Sequence, residues 1–507
     1  MASGIFGGEA RGRARRVVRP VAPALADALD AQNARYAPSA TRDAHLAALR
    51  SGAAAVVTGQ QAGLFLGPLF TVYKAATTIR LARALAEEWG VPVVPVFWLQ
   101  TEDHDLPEIA HCHVAPSRGA TLRLELPASD DHVSVAHRVL PEGITACLNE
   151  LRDDLSHLPH AGAHLARLER HYRPGAGWGE AFAGVLSELF AEEGLVLLDP
   201  RDQALAPLAA PVHRRAIVDA RPIAEALIER VRALAAAGVH VRAAAPLSFF
   251  HPDGPEGRRY RLVATEGGYA EVGGTRVHTE GALLAALESR PLCFSTSALL
   301  RPILQDTWLP TAAYVGGPAE VAYFEQMGPL YAAFELPMPL VVPRLRLRLL
   351  GEKPRRLLAR LKLSADQACL PEDEALAAAR GQTVGGTDGA EVSQRLLETF
   401  DAAVRDLVPT LRAAGEGIDE AIEKTRGTVA RAVGKLGEKY DKARLHRDQS
   451  TVEEVRRLQA WIYPEGKPQE RVYGVSYFAA KHGERAFIDR IVAAAEPFDA
   501  ALKDIEL

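Results

Sequence analysis

Residues Val91 to Leu99 carry no charge, and shortly after them the chain reads Glu102-Asp103-His104-Asp105. An apolar run of this length reads as a strand buried on both faces, the kind found in parallel sheets covered by helices. In open sheets of that type the ligand sits outside the carboxyl ends of the strands. Four titratable side chains at that place can bind a cationic amine, hold a metal ion or move a proton. A solvated acidic loop is the alternative for the tetrapeptide taken alone.

The surrounding sequence extends the pattern. Residues 53–58 (AAAVVT) form an apolar run that ends in Gly59-Gln60-Gln61. Val72, Ala75, Ala76, Ile79, Leu81, Ala82 and Leu85 give one apolar face to a helix over about 68–89. Strand, helix and strand within about 45 residues make a βαβ unit, and such units build parallel sheets. Further on, Leu195 to Leu198 ends in Asp199. Residues 311–315 (TAAYV) lead into Gly316-Gly317-Pro318-Ala319-Glu320 and a helix over about 319–334. Residues 339–343 (PLVVP) precede Arg344, Arg346 and Arg348. If the runs at 53–58, 91–99 and 311–315 are parallel neighbours, their three polar motifs share one edge of the sheet.

Other segments interrupt or follow this core. Residues 111–140 alternate apolar and polar, as an antiparallel excursion would. Helices are predicted near 142–157, 178–193 and 220–237. Pro252-Asp253-Gly254, Gly267-Gly268 and Gly273-Gly274 punctuate a β-hairpin insert. In the last third, one helix covers 390–408 and a second starts at Pro409, a residue suited to a first helical position. The second is expected to run to Tyr463, about 80 Å. Leu397, Phe400, Val404, Leu407 and Leu411, then Ile418, Ile422, Val429, Val433, Leu436 and Tyr440, form a coiled-coil seam with one break in phase. Gly415, Gly417, Gly427, Gly434 and Gly437 weaken that helix, so packing must support it. A dimerising αα-hairpin is the simplest solution, and a two-helix arm within one chain is the alternative. The fold class is α/β with a parallel-sheet core, inserted segments and a C-terminal α-helical coiled coil. The expected divisions are 1–110 and 291–350 as halves of the core, 181–245 as core helices and strand, and 111–180 and 246–290 as inserts. The coiled-coil arm is expected at 351–465, with 466–507 packing back on the core.

Composition narrows the function. At 507 residues, two or three domains are expected. The net charge of −5, with no long basic run, gives no support to nucleic-acid binding. Cys112, Cys147, Cys293 and Cys369 form no CxxC pair, which fits a reducing compartment and argues against a zinc ribbon. Arginines between Arg11 and Arg19 are not followed by the apolar stretch of a secretory signal, and no segment approaches the ~20 apolar residues of a membrane helix. A cytoplasmic location is expected.

The chemistry-bearing residues allow several uses. Glycines let backbone approach a ligand, and the helix end after Gly67 offers free N–H groups to a phosphate. Neither GxxxxGK[ST] nor GxGxxG is present. A tight strand-to-helix turn would not need two long amides such as Gln60 and Gln61. The carboxylates of Glu102, Asp103 and Asp105 repel one another, so at least one should hold its proton more tightly. They could hold a substrate ammonium while His104 or Asp105 takes a proton from an attacking amine. A metal set of His104, His111 and His113 is a rival, but its spacing is not that of a ligand motif, and no protein-bound metal is expected. Arg344, Arg346 and Arg348 either neutralise a polyphosphate or lie on an edge strand. The polar cluster Lys467-Pro468-Gln469-Glu470-Arg471-Val472 has no evident structural need.

Four stretches carry a resemblance: VTGQQAGLFLGPLFTVYKA (57–75), VPVFWLQTEDHD (94–105), LLRPILQDTWLPTAAYVGGPAEVAYF (299–324) and KPQERVYG (467–474). In order and spacing, with a coiled coil between the last two, the chain resembles the BshC family, cysteine-adding ligases of bacillithiol biosynthesis. The resemblance implies a Rossmann-like core with two connecting segments, similar to class I aminoacyl-tRNA synthetases, and a coiled coil that forms a homodimer. It implies that cysteine is joined to glucosaminyl malate. By analogy with the mycothiol ligase, ATP would activate the cysteine carboxylate as an acyl-adenylate before the glucosamine amine attacks.

On this resemblance Glu102, Asp103, His104 and Asp105 are expected to be catalytic. Gly59, Gln60, Gln61, Gly67, Pro68, Thr71, Lys74, Gly316, Gly317, Glu320, Arg344, Gln469 and Arg471 are expected to bind substrate or nucleotide. Phe65-Leu66-Gly67-Pro68 lies where class I synthetases carry HIGH. The literal HIGH and a KMSKS are both missing, and Arg344 is expected to substitute for the missing lysine. Expected partners are small molecules (cysteine, glucosaminyl malate and an adenine nucleotide), with no nucleic acid and no membrane. Two other classes compete. One is a dimeric nucleotide-binding protein that does not catalyse adenylation, and the other is a metal hydrolase.

Overall fold

The computed structural model describes residues 12, 15–236, 247–381, 388–413 and 415–507. It divides into two units: the chain up to Arg348 together with Gln469–Ile505, and Leu349–Pro468 with the last two residues. In the first unit the strands are β1 Ala54–Gln60, β2 Val93–Leu99, β3 His111–Val114, β4 Leu122–Glu125, β5 Val196–Leu198 and β6 Ser248–Phe250. They continue with β7 Tyr260–Thr265, β8 Gly268–Glu271, β9 Val277–His278, β10 Phe294–Thr296, β11 Thr311–Gly316 and β12 Leu340–Pro343.

The core sheet has the order β12-β11-β1-β2-β5, and every neighbouring pair is parallel. β1 and β2 run in register from Ala54 beside Val93 to Gln60 beside Leu99. The chain moves from β1 to β2 to β5 on one side and returns to place β11 and β12 on the other. The order therefore reverses between β1 and β11, and an open α/β sheet leaves its ligand crevice at such a point. The motifs after β1, β2 and β11 all lie along this edge.

Side-chain alternation explains why β1 is central. Ala55 and Val57 face a core that includes Trp98, Leu300, Tyr314 and Val341. Ala54 and Val56 face the opposite side, under Leu81, Leu85 and Trp89 of the helix Phe70–Trp89. A strand's period of two divides its side chains in this way, and two apolar faces leave it no solvent side. The helix starts two residues later than its apolar pattern suggests, after a short turn at Leu64–Leu66. It stops at Gly90, which takes a left-handed conformation and donates its N–H to Ala86 O.

Several segments differ from their sequence patterns. The stretch 319–334 is two helices, Pro318–Phe324 and Gly328–Ala333, because Pro329 starts a new helix. The glycine-punctuated insert is more than a hairpin: β6 to β9 join β10 in an antiparallel sheet ordered β10-β6-β7-β8-β9. β10 is three residues long, too short to show a period of its own. Helices Pro23–Asn33, Ala40–Ser51, Ala161–His171 and Ala206–Val218 were not evident from periodicity. The helix read over 220–237 covers Ala220–Ala236, and position 237 lies outside the described residues. Among the described residues no helix is long and apolar enough to cross a membrane.

The second unit contains an antiparallel pair, Gly389–Arg412 and Ile418–Ile462. Pro409 lies inside the first helix and does not start the second. The break falls instead at Gly415 and Gly417, whose positive φ angles make the turn. The second helix has 45 residues, about 68 Å at the usual rise. Gly437 is a point of close approach: a Cβ there would stand 2.3 Å from Gly389 O. Arg426 clamps Asp401 with two hydrogen bonds of 2.9 Å. Leu397, Phe400, Val404, Ile418, Ile422, Val429 and Val433 are half-buried, whereas Leu407, Leu411, Leu436 and Tyr440 of the expected seam are exposed.

Candidate functional site

A cavity of about 470 Å³ opens at the reversal point of the sheet. Gln60 and Gln61 reach it from the end of β1, Gln100, Glu102, Asp103 and His104 from the end of β2, and Gly317 and Glu320 from the end of β11. Phe70 and Lys74 enter from the helix Phe70–Trp89, and Arg344 and Arg471 close one side. The antiparallel insert and the segment after it supply Phe249, Arg259, Thr296, Arg301 and Tyr323. The lining therefore holds five cationic side chains against three carboxylates.

Lys74 is buried, and all three of its protons have acceptors. Nζ donates to Gly59 O at 2.8 Å and to Gln60 Oε1 at 3.0 Å, and it lies 2.5 Å from Glu320 Oε2. Burial pushes Lys74 below the ordinary lysine value, and the charge of Glu320 opposes that shift. For Glu320, burial alone would raise the carboxyl. Lys74, the Tyr314 hydroxyl at 2.6 Å and the Gly317 N–H at 2.7 Å outweigh it and hold the group below its usual range. An ammonium has three donors, so Lys74 joins β1 to the segment after β11 and has none left for a phosphate.

Arg344 is also committed. Its Nη2 lies 2.8 Å from Glu470 Oε1, its Nη1 donates to Leu345 O, and the guanidinium sits 5.5 Å from the centre of the Phe70 ring. Glu470 additionally accepts from Leu347 N–H at 3.3 Å. The polar cluster around Gln469 to Val472 thus has a structural use: it brings a carboxylate to a buried cation. Tyr473 O accepts from Leu69 N–H at 2.7 Å, and Gly474 donates to His113 O at 2.8 Å.

The acidic tetrapeptide divides into four tasks. Glu102 is buried, accepts from Thr296 N–H at 3.1 Å and from the Thr296 hydroxyl, and so fastens β10 to the end of β2. Asp103 accepts from Gln61 Nε2 at 2.6 Å and from His104 N–H at 2.7 Å, and remains partly open to the cavity. His104 lies against Arg259, whose Nη1 is 3.0 Å from Nδ1. Burial first, then the charge of Arg259, push His104 down to about 4, with Asp103 pulling the other way. Asp105 is exposed, does not line the cavity and caps the short helix Leu106–Ile109 by accepting from Glu108 N–H at 3.2 Å. It is a capping residue in the sense that a side-chain oxygen satisfies a free helix donor.

Of the expected binding residues, Gln60, Gln61, Lys74, Gly317, Glu320, Arg344 and Arg471 meet at the cavity, and six do not line it. Gly59 packs in the sheet, where a Cβ would stand 3.1 Å from Trp98 O. Gly67 has φ +62° and lies against Gly63 and Gly474, whose would-be Cβ atoms come within 2.8 Å of Gly67 Cα and 3.1 Å of Gly67 O. Pro68 O accepts from Thr71 N–H, and Thr71 Oγ1 is buried without a partner among the described residues. The amides of Leu69 and Thr71 are already bonded, so this helix end is less open to a phosphate than the glycines suggest. Gly316 O accepts from Arg344 N–H, and Gln469 is buried in the turn that carries Glu470.

Nor does the rival metal set assemble. His111 and His113 stand edge to face 5.4 Å apart on β3, while His104 lies beside His132. Among the described residues no three His, Cys, Asp or Glu side chains converge as a metal would require.

Periodicity could not find Arg259, Thr296 and Phe249, because their partners are far away in the chain. Arg301 stood inside one of the four motifs but was not singled out. Its Nη1 donates to Gln305 Oε1 at 2.8 Å, and it covers the Tyr314 ring at 5.0 Å.

Comparison with known proteins adds a family. Residues 10–345 match the model for "Bacillithiol biosynthesis BshC, N-terminal Rossmann-like domain" and residues 348–507 that for "Bacillithiol biosynthesis BshC, C-terminal coiled-coil domain". A protein of Koribacter versatilis is 34% identical over 93% of this chain and 87% of its own length. One from Salinibacter ruber is 33% identical over 90% and 84%, and one from Geobacillus thermodenitrificans 29% over 93% and 88%. Each of the three bears the name "Putative cysteine ligase BshC".

Proposed function

The chain belongs to the BshC family of bacillithiol biosynthesis, and from that premise we propose that it is a ligase joining L-cysteine to glucosaminyl malate through an amide bond, with ATP activating the cysteine carboxylate. The observation that carries this reading is the charge of the cavity: five cations against three carboxylates at the reversal point of the sheet. All the reactants fit such a lining. Glucosaminyl malate brings two carboxylates, the nucleotide a polyphosphate, and cysteine a carboxylate beside an ammonium. A volume near 470 Å³ lies within the range of small-molecule sites.

ATP supplies the phosphorus electrophile that turns a carboxylate oxygen into a leaving group. The protein's part is to place and neutralise charge. Arg301 and Arg471 offset the anionic groups. Gln60 and Gln61 offer amides at the end of β1. Asp103 is the carboxylate left open to the cavity, and it holds the ammonium or receives the proton that the attacking amine loses. We also assign the exposed Leu407, Leu411, Leu436 and Tyr440 to a homodimer seam, since these large side chains leave apolar area in water.

The test is mass spectrometry of the full chain incubated with glucosaminyl malate, cysteine and ATP, with nucleotide products followed in parallel. The cysteinyl conjugate formed together with AMP supports the adenylate route; formation with ADP points to an acyl phosphate. No conjugate from folded, nucleotide-binding protein rejects the reading. The commitment of Lys74 and Arg344 to Glu320 and Glu470 favours a second reading, a nucleotide-binding protein that does not adenylate. Pyrophosphate release that depends on cysteine excludes it.

A further inference from the structure

One cation in the cavity comes from the insert. Arg259 stands just before β7, buried, with its guanidinium 3.8 Å from the centre of the Phe249 ring. It donates from Nε to Ser295 Oγ at 3.0 Å, from Nη2 to Thr296 O at 2.5 Å, and from Nη1 to His104 Nδ1 at 3.0 Å. The same Thr296 is held by Glu102. Arg259 is therefore fixed on both sides of the contact with His104.

A guanidinium has donors and no acceptor, and it keeps its proton in proteins. Each of these contacts is consequently a donation by Arg259. His104 Nδ1 must offer its lone pair, so the single proton of the neutral ring sits on Nε2. Among the described residues Nε2 has no partner, and His104 lines the cavity. The groups facing the ring are Arg259, Asp103 at 3.7 Å, Asp105 and His132, whose ring centre is 4.6 Å away. Burial, Arg259 and His132 disfavour a second proton; Asp103 and Asp105 favour one without reversing the balance.

We propose that Arg259 is a positioning residue that locks His104 as the neutral Nε2–H tautomer, so that the ring gives a hydrogen bond to a ligand oxygen and cannot act as a base. This rests on the cavity being the ligase site. The proton lost by the attacking amine then goes to Asp103 and not to His104. A donor placed ahead of the reaction is worth most where charge grows on oxygen, which here means the acyl oxygen of cysteine or an oxygen of the activating phosphoryl group.

The first test needs no activity. Full-length protein labelled with 15N-histidine is recorded by long-range proton–nitrogen correlation between pH 6 and 8, with His104 identified from its absence in His104→Gln. The expected result is a protonated Nε2 and a bare Nδ1 throughout. A protonated Nδ1, or a ring that titrates within this interval, overturns the proposal. In Arg259→Met the lock is gone, so His104 should populate the Nδ1–H tautomer and take its second proton more readily than in the wild type, while burial still holds it below the ordinary value. An unchanged tautomer and unchanged titration in that variant also overturn it. If Arg259→Met does not fold, Arg259→Lys serves, because the compact lysine ammonium lacks the rigid fork of donors that the guanidinium aims at Ser295, Thr296 and His104, and the wild-type spectrum remains decisive alone.

The second test is turnover. His104→Ala should lose about 100-fold in kcat, the scale for a removed transition-state donor. His104→Gln, whose amide can still donate, should recover to within about tenfold of wild type. Equal losses in both variants would mean that the ring takes a proton, and would overturn the donor role. Wild-type protein that shows the Nε2–H tautomer yet makes no conjugate would instead refute the ligase reading and leave the lock standing.

Discussion

Arg344 and Glu470 form an ion pair 2.8 Å long whose side chains are 3% and 2% exposed. Removing one partner of a buried pair leaves an uncompensated charge and costs roughly 3–5 kcal/mol. Glu470→Ala should therefore lower the denaturant midpoint of the protein sharply. The double variant Arg344→Met, Glu470→Leu should recover much of that loss, because an apolar pair of similar volume is often no less stable. Nucleotide affinity measured on the folded double variant separates this structural work from phosphate binding: unchanged affinity would remove Arg344 from the nucleotide site.

Asp306 gives a pH dependence with a clear sign. Its carboxylate accepts from Tyr331 OH at 2.5 Å and from Gln305 Nε2 at 2.8 Å. Burial raises it from 3.8 to about 6, against the lowering effects of those bonds and of Arg301. The folded protein thus binds this proton more tightly than the unfolded chain does. The associated stability is complete below the unfolded value and is lost as pH rises through about 6. The full interval corresponds to roughly 3 kcal/mol. Asp306→Asn should flatten the unfolding midpoint between pH 4 and 7 and raise it at pH 7. An unaltered pH profile would refute the assignment.

Glu102 and Asp103 should respond in opposite ways to loss of charge. Asp103→Asn is expected to lower turnover by about 10²–10⁴ while leaving the melting curve in place. Glu102→Gln should instead loosen the insert, because Thr296 loses its carboxylate partner. Hydrogen exchange at β6, β7 and β10 reports that loosening directly.

In the helical unit, Gly437→Leu should force the two long helices apart. Even a Cβ at this position would stand 2.2 Å from Ser393 Oγ and 2.3 Å from Gly389 O. Overpacking of this kind costs typically 1–3 kcal/mol. The expected readout is a lower melting temperature of the helical signal at 222 nm with the native β content retained.

Leu407→Glu combined with Leu436→Glu tests the homodimer. Both residues are about half exposed within the chain, 55% and 50%, so the change should leave the hairpin folded. Light scattering should read a monomer for the variant and a dimer for the parent. Equal masses would exclude this stripe as the seam.

How much of this was legible depends on the range of each interaction. β1, β2 and β11 were readable because each is a run of buried residues closed by an abrupt polar motif. That pattern also located the cavity edge at Gln60, Asp103 and Gly317. The individual roles were less accessible. His104 looks like a base in isolation; its tautomer is set by Arg259, 155 positions away. Lys74 looks like a phosphate ligand until Glu320 arrives from the other side of the sheet. Asp105 belonged to the right motif but serves a helix end. Pro409 was misleading because a proline can also sit late in a helix when glycines downstream provide the real break.

The clasp between Glu102 and Thr296 spans 194 positions of sequence. At a synthesis rate of about 5–20 residues per second, the ribosome needs roughly 10–40 s to travel from one to the other. Throughout that interval the end of β2 carries its carboxylates while the cavity still lacks Thr296, Arg301, Gly317, Glu320, Arg344 and Arg471. The nascent sheet then holds β1, β2 and β5 without β11 and β12, and it cannot discriminate among small molecules until the insert and the strands after it are translated. Recognition is therefore a late event in the life of the chain, and a fragment stopped before β10 would be a scaffold without a receptor.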